Sequence, residues 1–157
     1  MTNLQKEINA CPVPVKQVKS IIKELRNTLF SNYVNIWTAG VFLTFDCYPF
    51  GIKYSILLRN DQSSAFKLFI LMHEVAHYYH RNVNYSPVQR EKRAQMYALK
   101  ACMDKGYYDS LSSGIDIITH LSKVKDPLCT IDTKSAKMIV TTKRFNKAQK
   151  LCKLKMK

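Results

Sequence analysis

His73-Glu74-Val75-Ala76-His77 is an HExxH pattern, the stretch of this chain whose residue types and spacing most directly imply chemistry. Residues four apart on a helix sit about 40° apart around the axis and about 6 Å along it, so both imidazoles project from one face and can grip one ion. Glu74, one residue on, is turned to the side of that pair. It can reach a water activated by zinc without being a ligand, which suits it to act as the general base of a hydrolysis. The competing use is two helix histidines satisfied by hydrogen bonds in a core. Three polar groups along one buried stripe would then be costly and serve no purpose.

Catalytic zinc takes a third protein ligand and keeps one position open. Acids and histidines are scarce here, with 11 Asp plus Glu and 4 His in 157 residues, so the candidates are few. Glu91 lies early on a second predicted helix in which Ala94, Ala98 and Ala101 keep one side small enough for close packing. His80 is the rival, on the same side as His73 and His77. Three ligands from one straight helix form a row rather than a tetrahedron, which favours Glu91. The expected site is therefore His73, His77 and Glu91 for Zn2+, with Glu74 as the catalytic base. Tyr78, Tyr97, Tyr107 and His120 are the candidates for stabilising an oxyanion or touching substrate.

For these groups to meet, two helices must pack side by side. Ala65 to His80 is apolar on nearly every side and should be buried. Arg81 to Tyr85 reads as a loop. Ser86-Pro87-Val88-Gln89 has the cap and first-position proline of a helix start, and Gly106 ends that helix after about Lys105. Upstream, Val15, Val18, Ile21, Ile22, Leu25 and Leu29 recur at helical spacing and predict an amphipathic helix. Tyr33 to Trp37 and Val41 to Phe45 predict a hairpin around Gly40, and Ile52 to Leu58 a third strand. Ile115 to Leu121 predicts a short helix and Lys134 to Lys155 a last, basic one. The expected fold is α+β, a small antiparallel three-stranded sheet on a helical, zincin-like core.

The stretch from Tyr54 to Met103 resembles the ImmA/IrrE (DUF955) family of metallopeptidases. The likeness rests on a strand ending in Asn60, Phe69-Ile70-Leu71-Met72 before the HExxH, and the Glu-x-x-Ala helix beginning at Glu91. In the family, the third ligand is a Glu four residues before an Asn or Asp, positions that Glu91 and Gln95 occupy. Arg93 stands where members often carry a second acid, and Leu99-Lys100-Ala101-Cys102-Met103 replaces the usual Leu-Leu-Met-Pro. The resemblance implies a gluzincin-like protease acting on a regulatory protein such as a helix-turn-helix repressor, in a phage, mobile-element or stress circuit.

The formal net charge of +14 is uneven. From Thr133 onward there are nine basic residues and no acid. Such a field attracts nucleic acid or an acidic protein, and Lys143, Arg144, Lys147, Lys150 and Lys153 are the candidate contacts. With no base-reading motif, contact with nucleic acid would be to phosphates and sensitive to salt. The chain divides on this reading into a metallopeptidase-like domain over 1–132 and a basic helix or tail over 133–157. Removing the chain from about Lys143 should then leave the fold largely intact.

Hydrophobic residues make up 46% and charged residues 23%, which argues against wholesale disorder. Apolar runs such as Phe69 to Met72 are too short to span a bilayer, and Thr2 to Glu7 is too polar for a secretory leader. Five scattered cysteines without a CxxC fit reduced thiols and a cytoplasmic protein. Cys47 and Cys152 are the two expected to be least buried.

Overall fold

The third predicted strand is the middle of the sheet. In the computed structural model, which describes residues 1–26, 38–46, 49 and 51–155, β3 (Ile52–Arg59) lies between β1 (Val15–Val18) and β2 (Gly40–Asp46). β2 pairs antiparallel with β3, Gly40 opposite Leu58 and Asp46 opposite Ile52. β1 pairs parallel with it, Val15 opposite Ile56. Successive β3 side chains point to opposite faces, and both faces are covered. Ile56 and Leu58 enter the main core, whereas Leu57 joins Val18, Ile21, Leu25 and Leu43 in a second cluster.

The sheet is thus mixed, not wholly antiparallel, because its third member comes from upstream. Val15 to Leu25 is not one helix. It is β1 followed by a single helical turn or so, α2 (Ile21–Leu25), which Ser20 caps. β-Branched Val15 and Val18 recur at a spacing that suits a helix, but the segment bonds to β3. Ile56 N–H donates to the Pro14 carbonyl and Asn60 N–H to the Val18 carbonyl, both at 2.9 Å. The strand predicted over Tyr33 to Trp37 lies outside the described residues, as does Leu29.

The remaining helices are α1 (Asn3–Asn9), α3 (Ser64–Tyr79), α4 (Pro87–Asp104), α5 (Tyr108–Leu121), α6 (Thr130–Val140) and α7 (Lys143–Lys155). α3 runs through the middle, against β2 and β3 on one side and α4 and α5 on the others. Its apolar residues all round have neighbours to meet: Leu68, Phe69, Leu71, Met72, Val75 and Ala76 are all buried. α5 begins well before the predicted Ile115. Gly114 lets it approach closely, since a β-carbon there would stand 2.1 Å from the Phe69 ring.

The basic segment is two helices, broken at Thr141 and Thr142, and the division at 132/133 falls inside α6. Ala136 and Ile139 of α6 and Phe145, Ala148 and Cys152 of α7 belong to the same core as α3 and α4. Cys152, expected to be among the least buried cysteines, is 8% exposed. Its thiol faces the Tyr108 carbonyl at 3.8 Å, because α7 lies on α5. Cys11, Cys102, Cys129 and Cys152 are all free, and Cys47 lies outside the described residues. Among the described residues no helix is long and apolar enough to cross a membrane.

Candidate metal centre

α3 starts where Ser63 accepts from the Phe66 N–H and ends at His80, and it places His73 and His77 one turn apart. Their rings meet edge to face with centroids 4.7 Å apart, and the two Nε2 atoms are 3.0 Å apart. α4 starts at Ser86, whose hydroxyl accepts from the Gln89 N–H, with Pro87 in its first turn. Ala94 and Ala98 are fully buried, and this small face brings α4 close to α3.

Glu91 closes the group. Its Oε2 lies 3.2 Å from His73 Nε2 and its Oε1 3.3 Å from His77 Nε2. His73, His77 and Glu91 form a group that could hold a metal ion. The spacing suits one: atoms about 2 Å from a tetrahedral ion lie roughly 3.3 Å from each other. Two imidazoles and one carboxylate are also a donor set that zinc accepts.

The electrostatics are those of a tight, partly buried cluster. Burial opposes a charge on His73, but the Glu91 carboxylate outweighs it and raises the His73 pKa to about 9. Burial likewise opposes charge on Glu91, yet hydrogen bonds and charges from the two histidines hold it far below the usual carboxylate range. Glu74 stands apart from this group and is 6% exposed. Burial, and then the charge of Glu91, raises its pKa, while the histidines and a hydrogen bond from the Phe42 backbone N–H pull the other way. Against Glu74 lies Gly40 at the start of β2. A β-carbon at Gly40 would meet Ile70 Cγ2 at 2.3 Å and Glu74 Oε1 at 3.3 Å. The sheet thus approaches the base of the site through a residue without a side chain.

Two residues near the centre do not follow from the HExxH pattern. Asp132, in the first turn of α6, is half-buried, and α6 packs on α4. Its pKa is raised by burial first and then by Glu91 and Glu74, while His73 and His77 lower it, so its carboxyl group feels the whole cluster. It lies 41 positions after Glu91, and no local spacing could have indicated it. Gln95, one turn beyond Glu91, is 4% exposed, and its Oε1 is buried without a partner.

The other candidates fall elsewhere. His80 caps α3 beside Tyr85, with a pKa lowered by burial and by Arg93, and is outside the metal group. His120 lines a shallow hollow with Phe66, Ser113 and Asp116. The Tyr107 hydroxyl donates to the buried Glu7 at 2.7 Å, alongside Lys105, and is engaged there. Tyr78 packs edge-on to Phe42 and Tyr54 with the Arg81 guanidinium 4.1 Å from its ring centre. Tyr97 lies 5.9 Å from the Tyr79 ring.

Lys143, Arg144, Lys147, Lys150 and Lys153 are all exposed on α7, whose opposite side is buried. Arg144 also reaches back to the Met96 carbonyl of α4 at 3.3 Å.

No family model, no curated protein and no solved structure matches this chain.

Proposed function

We propose that this chain is a zinc-dependent metallopeptidase of the ImmA/IrrE kind that acts in the cytoplasm on a regulatory protein, such as a helix-turn-helix repressor. The observation that carries this reading is the convergence of His73, His77 and Glu91 from two helices, with a buried Glu74 beside them but outside their group. Zinc would supply Lewis acidity there, polarising a peptide carbonyl and making water acidic enough to be deprotonated near neutral pH. His73, His77 and Glu91 would hold it. A Glu74 carboxylate oxygen would take the proton of the attacking water and return it to the leaving amine. A carboxylate whose pKa is raised by burial suits both halves of that task. The free thiols support the cytoplasmic placement.

Glu74→Gln removes the base and keeps the ligands. Purified wild type and variant are expected to carry the same amount of zinc, about one ion per chain, while only the wild type cleaves candidate repressors. Undiminished cleavage by Glu74→Gln would overturn the mechanism.

A second reading is favoured by one observation, the exposed basic side of α7, which contains no acid at all. On that reading the chain keeps a peptidase-like shell and works by attaching to nucleic acid or to an acidic protein of the transcription machinery. Salt-sensitive polyanion binding by a zinc-loaded protein that hydrolyses no protein would favour it.

A further inference from the structure

Glu74 is attached to a group of aromatic rings that leads away from the metal group. It accepts a hydrogen bond from the Phe42 backbone N–H. The Phe42 ring stacks on Tyr54 with centroids 5.7 Å apart, and Tyr78, one turn beyond Glu74 on α3, meets both rings edge-on. The Arg81 guanidinium lies over this group, 4.1 Å from the Tyr78 ring centre and 5.2 Å from that of Tyr54. Its Nη1 donates to the Tyr78 carbonyl at 2.8 Å, one of the acceptors left over at the end of α3.

That arrangement holds a cation in place without neutralising it. Arg81 is exposed, and among the described residues the Tyr78 carbonyl is its one hydrogen-bond partner and no carboxylate pairs with it. A guanidinium carries five donors in a planar fork that matches a carboxylate, and stacking on a tyrosine leaves the edge of the fork free. The acids beside it are not on offer: Glu91 faces the two histidines, and Glu74 is buried. The same end of α3 carries a second cation, Arg93, 4.4 Å from the Tyr85 ring centre and close to His80.

We propose that Arg81 determines specificity by binding the carboxylate of an acidic side chain in the substrate, so that the protein cuts peptides with Asp or Glu close to the scissile bond. This rests on the metallopeptidase reading of the same site. Glu74 and Arg81 are seven residues apart. At a helical rise that is about 10 Å, which an extended peptide covers in about three residues. The acid is therefore expected within about three positions of the bond cut.

The test gives the zinc-loaded full chain a mixture of random-sequence dodecapeptides and reads the cut bonds by mass spectrometry. Amidation of each C-terminus leaves side chains as the source of every carboxylate. Asp and Glu should be enriched near the cuts. Arg81→Gln should keep its zinc, lose that enrichment and cut the preferred peptides about 5- to 10-fold more slowly, the loss of hydrogen bonds to a charged group. Arg81→Glu should favour Lys and Arg instead. Lys23→Gln, which removes the same charge from exposed surface elsewhere, should leave the preference unchanged. Binding separates recognition from chemistry. Glu74→Gln should bind a labelled, amidated peptide of alternating Ala and Glu, and adding Arg81→Gln should weaken that binding about 5- to 10-fold, whereas adding Lys23→Gln should not. Cuts at a fixed distance from a free C-terminus, abolished by amidation, would give Arg81 to the chain end and overturn the side-chain assignment. Cutting without acidic preference, or with a preference that survives in Arg81→Gln, overturns the proposal and leaves the metallopeptidase reading standing. No cutting of any peptide overturns that reading and this assignment with it.

Discussion

Glu91 and Gln95 stand one turn apart on α4, yet only one of them is partnered: both Glu91 oxygens face histidines, while Gln95 Oε1 is buried with nothing to accept. An acceptor left in that state, one turn from Glu91, is expected to orient a histidine ring N–H once both Nε2 atoms are turned to an ion.

Gln95→Leu should therefore separate stability from metal affinity. Without metal the variant should gain about 1 kcal/mol, since an unsatisfied buried acceptor is removed. Zinc affinity should fall about 10-fold, the scale of a missing orienting partner. Denaturation in chelator and a competitive zinc titration measure the two. Unchanged affinity would return Gln95 to a packing role.

The ligand assignment predicts a contrast between two helix ends. Glu91→Ala should lose zinc affinity by at least about 10-fold, whereas His80→Ala should keep it, because His80 lies at the end of α3 beside Tyr85. Elemental analysis after dialysis decides this, and the reverse pattern would exchange the two residues.

The metal-free protein should have an alkaline limit to its stability. The folded His73 pKa, about 9, lies above the ordinary value of 6.5. Its ion pair with Glu91 is therefore fully present below about pH 6.5 and is lost as pH rises toward 9. Glu91, lowered by the same pair, contributes above its ordinary pKa of 4.5 and loses that contribution only in strong acid. Stability in chelator should be greatest between these limits and fall by a few kcal/mol at most on the alkaline side. Urea unfolding across pH checks this, and His73→Gln should flatten the alkaline slope.

Gly40 sets how closely β2 approaches Glu74. Gly40→Ala should cost about 1–3 kcal/mol, since its β-carbon would overlap Ile70 Cγ2 and strand or helix must move. Any hydrolytic activity should fall further than zinc content, because the other neighbour pressed by that β-carbon, Glu74 at 3.3 Å, is the base and not a ligand. Thermal unfolding, zinc content and cleavage, measured together, test it.

The charge of α7 should be removable only by substitution. Phe145, Ala148 and Cys152 lie in the core, so truncation at Lys143, expected from sequence to be harmless, should instead unfold the protein. Lys147→Glu, Lys150→Glu and Lys153→Glu together should leave the melting temperature nearly unchanged. They should weaken polyanion binding, flattening its log–log salt dependence by about 0.7–0.9 for each phosphate no longer neutralised. An unchanged salt slope would make this face merely solvated.

The sequence was most legible where the pattern was local. α3 and α4 fall within about a residue of their predicted limits, because caps, proline and glycine mark their ends and the HExxH and the small-residue face lie within them. β2 and β3 were likewise visible as β-branched, aromatic runs. The less legible parts depend on distant partners. Val15 and Val18 satisfy a helical spacing and a strand equally, and only Ile56, some 40 residues away, decides between them. The first half of α5 is hidden because Ser110, Ser112, Ser113 and Gly114 are weak helix formers, held in place here by packing on α3. The lysines of α7 advertise a tail, while its three buried positions are too sparse to reveal a core helix.

Leu4 of α1 and Cys152 of α7 sit in one hydrophobic cluster, and that has a consequence for how the molecule comes into being. A chain emerging from the ribosome displays the apolar surfaces of α3 and α5 long before α7 exists to cover its share of them. Local helix formation cannot substitute for that late arrival, because the cluster joins regions far apart in sequence. Newly made protein should pass through a stage with a sticky, uncovered side, when chaperones have their best opportunity to bind and proteases to cut. The positive charge carried by the last helix helps keep such chains apart just as they close.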